Sequence, residues 1–192
     1  MTREEFEHVI RAAADATGED DFVVVGSQAI LGYLADAPPA LLLSQEVDLY
    51  PSADPAKAVE VDGALGEGSM FPDTFGYYAH GVGPETAKAP LGWEERLLAL
   101  AVTNPATGQR AWARCLEIHD LALAKCVAGR ERDLSYVRTL IDEQLVDPAV
   151  LLEQIAELPI DARERDRVEK ALHGLLAQRE RRAAPRPDST RR

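Results

Sequence analysis

Phe22-Val23-Val24-Val25 is apolar at every position and ends at Gly26-Ser27. A run this short and this rich in β-branched residues reads as a buried strand, closed by a tight turn. About twenty residues on, Ser44-Gln45-Glu46-Val47-Asp48-Leu49-Tyr50 alternates, with Val47 and Leu49 on one face and Ser44, Glu46 and Asp48 on the other. Side chains at i and i+2 of a strand point the same way, roughly 6–7 Å apart. Two carboxylates on one half-buried face need positive charge between them. A divalent cation completed by substrate phosphates meets that need, and it is the ligand set Mg²⁺ prefers. The plainer alternative is a pair of solvated acids on an edge strand.

The flanking segments place this pair in a sheet. Thr2 to Glu5 is a capping-box pattern, and Phe6, Val9, Ile10 and Ala13 follow at helical spacing, which predicts a helix over 3–17 ending at Gly18. A short helix is expected over 28–35, stopped by Pro38-Pro39, and a strand over 47–50, closed by Pro51. Asp54-Pro55 opens a helix reaching Leu65. The Gly- and Pro-rich stretch 66–90 holds one expected strand, 74–79. Two more, 97–103 and 111–116, are joined through Asn104-Pro105-Ala106-Thr107-Gly108. Helices are expected over 119–128, 131–143, 148–156 and 162–182. The fold class is therefore α+β, a mixed β-sheet with flanking helices plus a helical C-terminal extension. It divides into an α/β core (1–118), a helical part (119–182) and a basic tail (183–192) expected to be disordered.

Charge narrows the partners. The chain carries a net −12, which disfavours bulk non-specific binding to polyphosphate. Residues 161–192 hold ten Arg and Lys against six Asp and Glu, a net +4, which leaves −16 on residues 1–160. That basic end could touch RNA or an acidic partner, or be only a solvated helix. No apolar run approaches the ~20 residues a bilayer span requires. Cys115 and Cys126 form no disulfide or zinc pattern. A cytosolic location is expected, without a membrane partner.

Two further places offer chemistry. A glycine between a strand and a helix lets backbone N–H groups approach an anion, and the Ser27 hydroxyl adds a donor, although simple turn chemistry also explains Gly26-Ser27. In Asp120-Leu121-Ala122-Leu123-Ala124-Lys125-Cys126-Val127-Ala128, Lys125 is the one cation of an otherwise apolar helix. It must reach solvent or find an anion. Arg130 and Arg132 follow at the same helix end and extend the cation set, which suits phosphate. An ordinary structural ion pair is the alternative. The histidines, His8, His80, His119 and His173, show no metal-ligand spacing; His119-Asp120 reads as a helix cap, and Trp93 and Trp112 as core or rim anchors.

Taken together, these segments resemble a nucleotidyltransferase of the polymerase-β superfamily, in the branch of AbiEii/MenT-like toxins and their uncharacterised actinobacterial relatives, over roughly residues 20–145. Gly26-Ser27 matches the first motif. Ser44 with Glu46 and Asp48 matches the second, and Lys125, Arg130 and Asp133 match the third. The resemblance implies that Glu46 and Asp48 hold Mg²⁺, in a two-metal site, and that Lys125 completes the catalytic set. Gly26, Ser27, Ser44, Lys125, Arg130 and Asp133 would bind the nucleotide. The implied reaction moves an NMP from an NTP to an RNA (the tRNA 3′ end) or a protein acceptor, as the toxin of a toxin–antitoxin pair with a cognate antitoxin as partner. Three departures stand out: Val25 where the motif has a small residue, Glu46 where the first acid is usually Asp, and no third acid in Tyr77-Tyr78-Ala79-His80, for which Asp133 is the candidate substitute. A non-catalytic nucleotide-binding or protein-interaction module on the same fold is the alternative. A regulatory protein working through its basic C-terminus is a third.

Overall fold

The computed structural model describes residues 1–183; the rest of the tail expected to be disordered lies outside the described residues. Helix α1 (Arg3–Thr17) begins on the capping box, with Glu5 N donating to Thr2 Oγ1 (3.2 Å) and Thr2 N to Glu5 Oε2 (2.6 Å). It ends at Gly18, whose φ of 69° is the left-handed conformation that suits glycine. Its buried face is Phe6, Val9, Ile10, Ala13 and Thr17.

Strand β1 (Asp21–Val24) runs antiparallel to β2 (Glu46–Pro51) on one side and parallel to β5 (Arg110–Cys115) on the other. A strand inside a sheet covered on both faces has no polar side, which explains the unbroken apolar run. Strand β3 (Tyr78–Gly81) pairs parallel to β2, and β4 (Leu98–Thr103) antiparallel to β5, giving the order β3-β2-β1-β5-β4. Helix α2 (Ile30–Tyr33) follows one turn of 3₁₀ helix, and α3 (Ala58–Leu65) and α4 (Phe71–Phe75) lie between β2 and β3. The C-terminal helices are α5 (Ile118–Ala128), α6 (Glu131–Asp142), α7 (Pro148–Gln154) and α8 (Ala162–Ala183). Their buried residues, Leu121, Val137, Leu151 and Leu172 among them, join those of the sheet in one apolar cluster. Among the described residues no helix is long and apolar enough to cross a membrane.

Three local expectations are corrected. The segment 74–79 is not one strand: α4 occupies 71–75 and β3 starts at Tyr78. Pro72 sits in the first turn of α4 and Gly76, at φ 79°, stops it, so the local punctuation outweighs the β preference of Thr74 and Phe75. The helix expected over 28–35 is three residues of 3₁₀ helix and four of α-helix, ending at Tyr33. The cap of α5 is Glu117, whose side chain accepts from His119 N and Asp120 N; Asp120 is instead fully buried and paired with Arg96 at 2.9 Å.

Candidate active site

The site forms where β1 ends beside the start of β2. Val25 N donates to Asp48 O (3.0 Å), continuing the ladder to the edge of the turn. Gly26 then passes directly beneath the Asp48 side chain, and a Cβ there would collide with Asp48 Oδ2. The glycine is required for space, since its φ of −82° and ψ of −173° are open to any residue. The 3₁₀ turn and α2 behind it are short, so the fixed charge they lend to Gly26-Ser27 is small, less than a full helix N-terminus would supply.

Strand β2 places its acids as the alternation predicts: Val47 and Leu49 are buried, Glu46 and Asp48 only partly so. Ser44 is drawn inward. Its hydroxyl accepts from Glu46 N (3.1 Å) and lies 3.3 Å from Glu46 O, while its carbonyl accepts from the buried Gln28 side chain (3.2 Å). Ser44 therefore starts the strand and ties it to the turn.

The parallel register with β3 sets Tyr78 opposite Glu46 and His80 opposite Asp48. His80 Nδ1 lies 3.0 Å from Glu46 Oε1 and 3.3 Å from Asp48 Oδ1, and the Tyr78 hydroxyl donates to Glu46 Oε2 (3.4 Å). Glu46, Asp48 and His80 each offer a ligand atom, all within 4.8 Å of one another. Burial, and then the neighbouring Glu46, push Asp48 up to about 6, with Lys125 and His80 offsetting part of the rise. Burial alone would lower His80; the Asp48 and Glu46 carboxylates outweigh it and raise the imidazole above its ordinary value.

The cations come from the helical part. Lys125 on α5 is mostly buried, 3.4 Å from Asp133 Oδ1 and 5.7 Å from the centre of the Tyr136 ring. Asp133 on α6 is 2% exposed and also accepts from Arg130 Nε at 2.6 Å. Burial would raise Asp133, but Arg130 and Lys125 hold it below the usual carboxylate range. Arg130 is raised first by its hydrogen bond to Asp133, and more weakly by Asp48 and Glu46. Lys125 and Arg130 therefore share an electrostatic field with the two acids. A further tie joins the parts: Tyr136 on α6 donates its hydroxyl to Ser27 O (2.8 Å). Among the described residues, no third carboxylate joins the acid group; Asp133 is committed to its two cations.

Residues 4–172 match the family model described as a nucleotidyltransferase of unknown function (DUF6036). The chain belongs to this family. No curated protein and no solved structure matches it. For a DUF6036 nucleotidyltransferase, an NTP and a divalent metal are the expected small partners, and the donor set fits the metal. Two carboxylates and an imidazole converge, and Gly26, having no Cβ, leaves the room that the Asp48 carboxylate takes up there.

Sequence reasoning missed His80 and Tyr78. The pattern that could have found His80 is its place two residues after Tyr78, the same alternation that links Glu46 and Asp48. Only the register of two strands some thirty residues apart turns that pattern into a contact.

Proposed function

We propose that this protein transfers an NMP from an NTP to a hydroxyl of an RNA, the tRNA 3′ end, or of a protein. The oxygen of the acceptor hydroxyl bonds to the α-phosphorus, the bridge from that phosphorus to the β-phosphate breaks, pyrophosphate leaves, and the hydroxyl proton passes to solvent. The observation that carries this reading is the Asp48 carboxylate, pressed over Gly26 and beside Glu46, within the electrostatic field of Lys125 and Arg130. Glu46 and Asp48 would hold a divalent cation, Mg²⁺ by the resemblance, which supplies charge neutralisation to the triphosphate and lowers the pKa of a bound hydroxyl. Lys125 and Arg130 hold phosphate charge as it shifts toward the leaving group, and Asp133 keeps Lys125 in place. Gly26 and Ser27 let the nucleotide approach the backbone. Such chemistry is mainly positional and electrostatic.

Incubation with each labelled NTP, divalent metal and total tRNA tests the reading. Label is expected in RNA or protein with the wild type and lost by on the order of 10³-fold in Asp48→Ala. No label with any of the four nucleotides would overturn it. The toxin role follows from the resemblance to the AbiEii/MenT-like branch. It predicts growth arrest on induced expression, relieved by the same substitution.

One observation favours a second reading, a nucleotide-binding module without turnover: the position beside the two acids carries an imidazole instead of a third carboxylate. That reading predicts NTP binding with no label transferred.

A further inference from the structure

His80 has no part in the reaction as described so far, yet it occupies a specific place. Its Nδ1 lies between the two acids, 3.0 Å from one oxygen of Glu46 and 3.3 Å from one oxygen of Asp48. Neighbouring ligands of an octahedral ion with bonds of about 2.1 Å stand about 3 Å apart, the bond length times the square root of two. The two separations from the imidazole are therefore close to those of cis ligands on one ion, and all three ligand atoms lie within 4.8 Å of one another. The parallel β2–β3 ladder places the histidine there, since Asp48 and His80 are register partners. The Tyr78 hydroxyl engages the other oxygen of Glu46 and leaves Oε1 directed at the imidazole. The side chain of His80 is half exposed, so the ion's remaining positions face solvent and an incoming nucleotide.

We propose that His80 is the third protein ligand of the ion held by Glu46 and Asp48, and that its nitrogen makes this site select Mn²⁺ over Mg²⁺. Mg²⁺ is a hard cation that prefers oxygen and gives up water reluctantly. An imidazole suits first-row transition metals, and carboxylates suit Mn²⁺ as well as Mg²⁺, so a two-carboxylate, one-imidazole set discriminates through its nitrogen. Mn²⁺ retains the oxygen-rich octahedral coordination that a triphosphate completes. The inference rests on the reading of the acid pair as a metal site, and is independent of turnover.

The test uses the full chain without nucleotide. Mn²⁺ and Mg²⁺ are titrated separately by calorimetry, and the Mn²⁺ complex is examined by pulsed electron paramagnetic resonance for coupling to a directly bound ¹⁴N. Wild type is expected to bind Mn²⁺ at least tenfold more tightly than Mg²⁺ and to show the nitrogen coupling. His80→Ala is expected to lose the coupling while circular dichroism reports an intact fold. His80→Asp, which supplies an oxygen in place of the nitrogen, is expected to lower the Mn²⁺ to Mg²⁺ affinity ratio several-fold. Absence of nitrogen coupling in wild type, or equal ratios in wild type and His80→Asp, overturns the proposal. The two readings fail separately. Nitrogen-coupled Mn²⁺ with no nucleotide transfer removes the transferase and leaves the ligand assignment standing, and Mg²⁺-driven transfer without the coupling does the reverse.

Discussion

The two halves of the candidate site carry their charge in opposite ways. On the β2–β3 side, Glu46 and Asp48 are held together by the ladder with a half-exposed histidine and the neutral Tyr78 hydroxyl against them, and burial beside Glu46 pushes Asp48 up to about 6. On the α5–α6 side, the charges are already paired: Asp133 sits between Lys125 and Arg130 and is held below its ordinary range. One side lacks a cation, and the other has its cations positioned by a buried anion. Strand geometry forces like charges onto one face, because i and i+2 cannot turn away from each other. Helix geometry lets opposite charges be chosen: Arg130 and Asp133 are neighbours at i and i+3. On the proposed reading, one surface meets a metal and the other meets phosphate, and they differ in just this respect.

The contrast breaks most severely at Asp133. Asp133→Asn leaves Lys125 buried without its anion, and removing one partner of such a buried pair costs about 3 kcal/mol. Thermal unfolding should show that loss, and any NTP binding should weaken along with it. The equivalent loss on the acid side has the opposite sign, because Asp48→Asn relieves a like-charge contact in the metal-free protein and should raise its melting temperature. Equal destabilisation by the two substitutions would contradict the distinction.

Gly26→Ala comes next. The added methyl meets the Asp48 carboxylate, and displacing packed atoms costs about 1–3 kcal/mol. Metal affinity, measured by calorimetry, should fall as well, since Asp48 is the group displaced. At Gly63, where a Cβ meets nothing within 4 Å, the same substitution should leave metal binding unchanged.

The smallest effect is the response to pH. Asp48 has a folded pKa of about 6 against an ordinary 3.8, so the folded protein binds its proton more tightly than the unfolded chain. The stability this contributes is complete below about pH 3.8 and is lost as pH rises through about 6. His80, also raised, acts in the same direction. With EDTA present, unfolding between pH 4.5 and 7.5 should cost wild type about 1–2 kcal/mol more stability than it costs Asp48→Asn, once the partial exposure of the carboxylate is allowed for. Saturating divalent metal should reverse the difference.

Much of this was legible in the chain. The capping box of α1, the apolar run of β1 and the alternation of β2 are local patterns, and each element formed within a residue or two of its expected bounds. The same alternation placed Glu46 and Asp48 on one face. Elements read less well where two local signals competed, as at 71–79, where the proline and glycine bracketing α4 outweighed a β-prone sequence.

By itself, then, the sequence determined which segments are strands and helices, and which side chains share a face, because both follow from backbone periods of a few residues. Tertiary structure decided which faces meet. It set His80 opposite Asp48 through a parallel pairing, brought Lys125 within the field of Asp48, and tied Tyr136 to Ser27. Those contacts join segments some thirty to one hundred residues apart. Their energy comes from burying a common core, and no local pattern in the chain encodes it.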